Sequence, residues 1–170
     1  SMSDYITKML EHYECVAFDV DDTQYFDINE FLEELIDLLS IKSNCQINLP
    51  EESIEIHCNK IALQQIFLNL IVNSLKYNDK AETIIDIKAK RTDDLFEFKI
   101  RDNGRGIEKE KLKTIFELFA TVGHLDNEGK KGHGIGLSTV QKIVGSLGGT
   151  ISVSSKLGSY SEFTFTIADV

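Results

Sequence analysis

Several things are scarce in this chain, and each scarcity closes off a class of protein. No apolar run approaches the length of a membrane span, and no signal peptide is visible. The cysteines are Cys15, Cys45 and Cys58. Their odd number and spacing match neither a disulfide framework nor a zinc site, which points to a reducing, cytoplasmic setting. Positive charge is short: 18 Lys and Arg face 28 Asp and Glu, for a net charge of -10. That balance argues against non-specific binding to nucleic acid or an anionic membrane, which needs basic patches. A nucleotide bound as its magnesium complex needs only a local site and stays open.

What is present is ordinary for a soluble globular protein: 42% apolar and 27% charged residues over 170 positions. That length suits one domain with a sizeable core. The opening Ser1-Met2 reads as an expression scar, which implies a piece of a longer protein whose missing part could hold a membrane anchor.

Residues 4–17 carry Ile6, Met9, Leu10, Tyr13, Val16 and Ala17, a near-heptad pattern that predicts a helix packing on a partner helix. Asp19, Asp21 and Asp22 follow as an acidic loop. The string Asp19-Val20-Asp21-Asp22-Thr23 matches the nucleophile motif of haloacid-dehalogenase-like phosphatases. The motif is short, and no alternating α/β region follows to build that fold, so the reading is set aside. A helix is predicted from 28 to 39, N-capped by Asp27 or Asn29 and burying Ile28, Phe31, Leu32, Leu35, Ile36 and Leu39. Strands at 47–49 and 53–58 flank Pro50, the only proline, and read as a hairpin.

The central stretch, 64–78, reads as a helix capped from Asn59, with Ile66, Phe67, Leu70 and Ile71 on one apolar stripe. Asn69, Asn73 and Lys76 share another stripe, since residues three and four apart stack. Asparagine is a mediocre helix former because its amide competes for backbone hydrogen bonds. The stripe is either a solvent face, which the helix by itself favours, or a set of amide oxygens aimed at a cation with a lysine for an anion.

Strands at 83–90 and 95–101 alternate around Ile85, Ile87, Phe96, Phe98 and Ile100 and form a hairpin. The second ends in Asp102-Asn103-Gly104-Arg105-Gly106-Ile107, either a plain turn or a loop where backbone approaches a ligand closely. A short helix is predicted at 108–118. Residues 119–133 are polar, glycine-punctuated and weakly patterned, as a flap would be. They lead into Gly132-His133-Gly134-Ile135-Gly136-Leu137 and a helix at 138–147. Glycines feeding a helix N-terminus make a phosphate cradle, or serve tight packing. Strands at 150–155 and 162–168 form a closing hairpin.

Taken in order, these features resemble the ATP-binding domain of bacterial sensor histidine kinases, in the superfamily that includes DNA gyrase and MutL. Asn69-Leu70-Ile71-Val72-Asn73-Ser74-Leu75-Lys76-Tyr77 is similar to the N box, and Asp102-Asn103-Gly104-Arg105-Gly106 to the G1 box. Ile115-Phe116-Glu117-Leu118-Phe119 is similar to the F box, the 132–137 loop to the G2 box, and 158–165 to the last hairpin. The match covers roughly 26–168, with 1–25 left as scar and helical stub, the possible end of a dimerisation hairpin, and 26–170 as the ATP-binding domain.

The resemblance implies roles. Asn73 holds the magnesium ion. Asn69 stands where water-activating ATPases carry a glutamate base, and an amide cannot take a proton at neutral pH. This favours phosphoryl transfer, with Asn69 and Lys76 as the catalytic pair and Lys76 on the phosphates. Asp102 accepts from the adenine amino group, Tyr77 lies against the base, and Gly132, Gly134 and Gly136 wrap the phosphates with Lys130 or Lys131. Phe119, with Phe116, anchors the flap. Gly104, Gly106, Ile107, Ile135, Leu137, Ser161 and His133 complete the nucleotide-binding set, although His133 departs from the small residue usual there and reads better as an exposed loop histidine than as a phosphate contact. No acceptor histidine with the family's context is present: His12, His57 and His124 all lack it.

The implied fold is a two-layer α/β sandwich of the Bergerat type, a mixed, mostly antiparallel sheet covered on one face by three helices. The implied function is transfer of the ATP γ-phosphoryl group to a histidine on a separate dimerisation domain, with a response regulator downstream and no nucleic-acid or direct membrane contact. The rivals are an anti-sigma-type serine kinase and a non-catalytic nucleotide-binding module. A gyrase-like ATPase is disfavoured by Asn69.

Overall fold

The computed structural model describes residues 19–41, 43–116 and 135–169. Helix α1 (Ile28–Leu39) and helix α2 (Lys60–Lys76) are followed by α3 (Ile135–Ser146). The strands are β1 (Gln24–Asp27), β2 (Cys45–Asn48), β3 (Glu55–Cys58), β4 (Thr83–Thr92), β5 (Leu95–Asp102), β6 (Ile151–Lys156) and β7 (Tyr160–Ala168). Five strands form one sheet in the order β2-β4-β5-β7-β6. β2 joins β4 in parallel and every other pair in this sheet is antiparallel, as the mixed sandwich requires. β1 and β3 form a separate antiparallel pair.

Strand alternation sorts the sheet into two faces. Ile85, Ile87, Phe96, Phe98, Ile100, Phe163, Phe165 and Ile167 point inward and are essentially fully buried. Over them lies α2, which is apolar nearly all round: Ala62, Leu63, Ile66, Phe67, Leu68, Leu70, Ile71 and Val72 are all buried. A helix buried on most of its circumference is a central core element, not a surface helix. Phe67 is its keystone, touching Phe31 of α1 and both Phe98 and Phe165 of the sheet at ring-centroid distances of 6.0, 5.5 and 5.4 Å.

The caps expected for the helices are present. Asp27 Oδ2 accepts from the Glu30 amide at 3.0 Å, so Asp27 and not Asn29 caps α1. Asn59 Oδ1 accepts from the Ala62 amide at 2.8 Å. The Ser53 hydroxyl also bonds Asp27, and this bond holds its carboxyl below the usual range.

Four expectations are corrected. The strands around Pro50 do not pair with each other: β2 enters the main sheet and β3 pairs with β1. The six residues between them cross from one sheet to the other, held by Asn29 Nδ2 on the Pro50 carbonyl at 3.0 Å and by Ser53. β1 itself was not anticipated, because four residues with little burial carry too weak an alternation. The helix at 108–118 is a 3-10 turn, Lys109–Lys111, followed by further turns to 116. The segment's apolar residues still reach the core, Ile115 buried and Leu112 and Phe116 packed against it, from those turns. Finally, α3 begins at Ile135, so the last three residues of the glycine loop already belong to the helix. The stub at 4–17 and the flap lie outside the described residues.

Candidate functional site

The candidate site is built where α2 ends, β5 ends and α3 begins. Asp102 is the last residue of β5, and strand alternation turns it inward with Phe98 and Ile100. It is 7% exposed. Its Oδ2 accepts from the Ser74 hydroxyl of α2 at 2.9 Å, and its Oδ1 accepts from the Gly104 amide at 2.8 Å. Ser161, its cross-strand neighbour on β7, donates a backbone N–H to the same carboxyl. Burial pushes the Asp102 pKa above its ordinary 3.8, against those three hydrogen bonds, which pull it down. A carboxylate offers about four acceptor positions. Three internal donors therefore orient Asp102 and leave one position for an incoming N–H.

The loop after Asp102 is pinned on both sides. Asn78, 3% exposed, donates from Nδ2 to Asn103 Oδ1 at 2.9 Å, and that oxygen also takes the Ile84 amide at 2.9 Å. Asn103 Nδ2 reaches the Glu82 carbonyl at 2.9 Å. Arg105 Nε donates to the Tyr77 carbonyl at 2.7 Å, tying the loop to the end of α2. On the far side the Gly158 amide meets the Arg105 carbonyl, and the Ile107 amide meets Ser155 Oγ, each at 2.7 Å.

Two glycines are demanded by this geometry. A Cβ on Gly104 would sit 2.8 Å from Asp102 Oδ1 and displace the carboxylate. Gly106 has φ +71°, and a Cβ there would sit 2.4 Å from the Lys156 carbonyl oxygen. Gly106→Ala is expected to cost about 2 kcal/mol or more, since left-handed strain adds to a backbone clash. Urea unfolding measures this, and a loss under half that figure contradicts the geometry.

One turn above lies the second half of the site. Asn69 is 4% exposed. Its Nδ2 donates to the Gln65 carbonyl at 2.8 Å, and its Oδ1 is buried with no hydrogen-bond partner among the described residues. The first turn of α3 is pressed against that oxygen, because a Cβ on Gly136 would come 2.7 Å from it. An unpartnered buried amide oxygen costs about 1–3 kcal/mol, so its presence at a helix N-terminus marks a place where a further group belongs. Asn73, Lys76 and Tyr77 continue down the same side of α2, all half-buried, and the Tyr77 amide closes the helix on the Asn73 carbonyl at 3.3 Å.

The structure thus brings Asn69 together with Gly136, and Asp102 together with Gly104, Ser161 and the end of α2. Ile107 is buried just beyond, and Ile135 and Leu137 stand in the first turn of α3. Phe119, Lys130, Lys131, Gly132, His133 and Gly134 lie outside the described residues. Ser74, Asn78, Asn103 and Arg105 are contributors that the sequence reading did not single out. Only Ser74 left a signal there, as a hydroxyl inside a run that is otherwise apolar on that side. The acidic Asp19 loop closes on itself, with Asp19 Oδ1 accepting the Asp21 amide at 3.0 Å, as an Asx turn does.

Residues 58–169, which hold every described element of this site, match the family described as histidine kinase-, DNA gyrase B-, and HSP90-like ATPase. The chain belongs to this family of ATPases. It is 35% identical, over 99% of its length, to Cyanobacterial phytochrome B of Nostoc sp., of which it spans 23%. It is 30% identical, over 86% of its length, to the Aerobic respiration control sensor protein ArcB of Escherichia coli, of which it spans 20%. Among solved structures, the catalytic domain of histidine kinase ThkA superposes with a TM-score of 0.71 at 23% identity, covering 87% of this chain and 98% of that one. Full-length ShkA in complex with AMPPNP superposes with a TM-score of 0.72 at 22% identity, covering 97% of this chain and 35% of that one. The fold is therefore that of histidine-kinase catalytic domains, and the chain is a domain-sized part of what its relatives contain. Among the described residues no helix is long and apolar enough to cross a membrane.

Proposed function

We propose that this chain is the ATP-binding catalytic domain of a sensor histidine kinase, handing the γ-phosphoryl group of magnesium ATP to a histidine on a separate dimerisation domain. One observation supports it above the rest. A single helix, α2, presents both a serine orienting a buried carboxylate and, about 7.5 Å up its axis, an amide oxygen with no partner. The first suits the amino group of adenine and the second suits a hard cation among phosphates. Bound there, ATP supplies the transferable phosphoryl group, and magnesium offsets its charge.

The chain's own residues do the positioning. Asp102 selects the base, Tyr77 and Ile107 flank it, and Lys76 meets phosphate oxygens. The unpartnered Oδ1 favours Asn69 as metal-facing amide alongside Asn73, the residue the resemblance nominates. Neither amide accepts a proton at neutral pH, so this site orients a phosphoryl donor and does not activate water. In this reading residues 26–170 are the ATP-binding domain, and 1–25 are the linker from a dimerisation hairpin, with Gln24 and Tyr25 already paired to β3. The setting is cytoplasmic, and a response regulator takes the phosphoryl group onward.

The test is transfer in trans. Mixed with a helical-hairpin protein bearing a histidine, the chain should pass radiolabel from ATP into an acid-labile, base-stable product. An acid-stable product overturns the reading in favour of a serine kinase. Asn69→Ala and Asn73→Ala should each weaken magnesium-ATP binding about tenfold, the weight of one lost charged hydrogen bond or ligand. Calorimetry showing unchanged affinity in both removes the metal assignment.

A further inference from the structure

Asp102 and the end of α2 come from distant parts of the chain, and side chains fasten the two segments together. Ser74 grips the Asp102 carboxylate itself, and Arg105 holds the Tyr77 carbonyl. A further contact touches neither the carboxylate nor the helix. Asn78 follows Tyr77 directly and Asn103 follows Asp102 directly, and Asn78 Nδ2 donates to Asn103 Oδ1 at 2.9 Å across 25 positions of sequence. Asn78 is 3% exposed. Backbone partners fix which way each amide points. The Lys80 amide donates to Asn78 Oδ1 at 2.9 Å, so Asn78 turns its N–H₂ to Asn103. The Ile84 amide donates to Asn103 Oδ1 and the Glu82 carbonyl accepts from Asn103 Nδ2, each at 2.9 Å, so Asn103 presents its oxygen to Asn78. A flipped amide at either position would set two donors or two acceptors face to face.

The turn after α2 needs only one of these bonds, the contact of Asn78 Oδ1 with the amide two residues on. The other arm of Asn78 adds nothing to that turn and goes to Asn103. Asn103 is held through its backbone as well, its amide on the Ile84 carbonyl at 3.1 Å. With residue 103 fixed at backbone and side chain, the next peptide is turned so that the Gly104 amide meets Asp102 Oδ1 at 2.8 Å. Asn78 is also the wall behind Gly104, because a Cβ there would come 3.4 Å from Asn78 Nδ2 and 3.5 Å from Asn78 Cα. We infer that Asn78 and Asn103 are a positioning pair for base recognition: together they hold the Gly104 amide on Asp102 and so aim the remaining acceptor position of the carboxylate at the 6-amino group of adenine. This rests on the reading of Asp102 given under the proposed function. Neither residue contacts the base; both act through Gly104 and Asp102.

The test reads discrimination between two nucleotides. Purine riboside triphosphate lacks the 6-amino group of ATP and is otherwise identical to it. The magnesium complexes of both are titrated into the chain by calorimetry. The parent should prefer ATP by about tenfold or more, the weight of one hydrogen bond to a charged acceptor. In Asn78→Ser the hydroxyl still takes the Lys80 amide, as serine does in such turns, but it is too short to reach Asn103. The preference should drop by about fivefold or more, the scale on which residues of one hydrogen-bond network couple. The drop should come from weaker ATP binding, with affinity for the analogue unchanged. Asn103→Ala should do the same, and the double variant should lose no more than either single one, because the two residues act as a unit. If one variant does not fold, the other alone gives the same reading. Equal weakening of both nucleotides shows a structural role only and overturns the proposal, as do losses that add in the double variant. A parent that binds both nucleotides alike overturns the Asp102 reading and this proposal with it. A discriminating parent beside variants that discriminate equally well overturns the pair alone.

Discussion

Asp102→Asn is expected to weaken magnesium-ATP binding by about 10- to 100-fold, the range for losing a hydrogen bond to a charged acceptor, with little or no loss of fold stability. The two halves of that expectation come from the same site. The carboxylate has three internal donors, and in the proposed function the position they leave is the one for the adenine amino group. An amide at that position turns its own N–H₂ toward the Ser74 hydroxyl, which can reverse and accept, or toward the ligand, and recognition is lost. Stability behaves differently because the native state holds Asp102 at a raised pKa. A folded carboxyl that binds its proton more tightly than the unfolded one does makes the native state richer in protons through that window, so stability falls as pH rises from 3.8 upward through the raised value. Asp102→Asn removes that slope. The stability of the variant relative to the parent should therefore rise with pH across the carboxylate range and level off above it. Urea unfolding at several pH values, beside calorimetry with ATP, checks both halves. A variant that binds ATP normally sinks the base-recognition role, and one that loses stability with rising pH sinks the electrostatic account.

Phe67→Ala should cost about 3–5 kcal/mol, as large-to-small changes at fully enclosed aromatic positions do. Phe67 is 0% exposed and is the ring through which α1, α2 and two strands meet. Its removal forfeits apolar burial and three edge-on ring contacts, which add about 0.5–1.5 kcal/mol each beyond burial. Against a typical total of about 5–15 kcal/mol, that loss leaves a marginal domain. The unfolding midpoint in urea should fall without a change in slope. A cost below about 1 kcal/mol would mean that the core collapses around the gap, and Phe67 would not be the keystone.

Local patterns were enough for much of this molecule. The alternation at 83–90, 95–101, 150–155 and 162–168 named four strands and their two hairpins, because an exposed face and a buried face print a period of two directly into the chain. Asp27 and Asn59 were legible as caps because a cap acts within three residues. Asn69, Asn73, Asp102 and the glycines could be picked out as a set from the order of short motifs along the chain, and the fold brings Asn69 against Gly136 and Asp102 against Gly104.

Contacts between distant segments were not legible in this way. Nothing near Pro50 indicates that the strands on either side of it join different sheets, since a strand's partner depends on registers that lie tens of residues away. Ser74 became a carboxylate's partner only once α2 lay across the end of β5, 28 residues on. The polar stripe of α2 could be a solvent face as long as only the helix was considered. Packing α3 against it buried Asn69 Oδ1, which has no hydrogen-bond partner among the described residues, and that supports the proposed reading of the stripe as ligand-facing. The opposition of Lys88 and Lys99 is likewise a property of register: each residue is unremarkable in its own strand, and only the pairing of β4 with β5 places them side by side. Periodicity and capping are short-range physics and sit in the chain itself, whereas burial of a polar atom and opposition of like charges exist only between segments, and the assembled fold decides them.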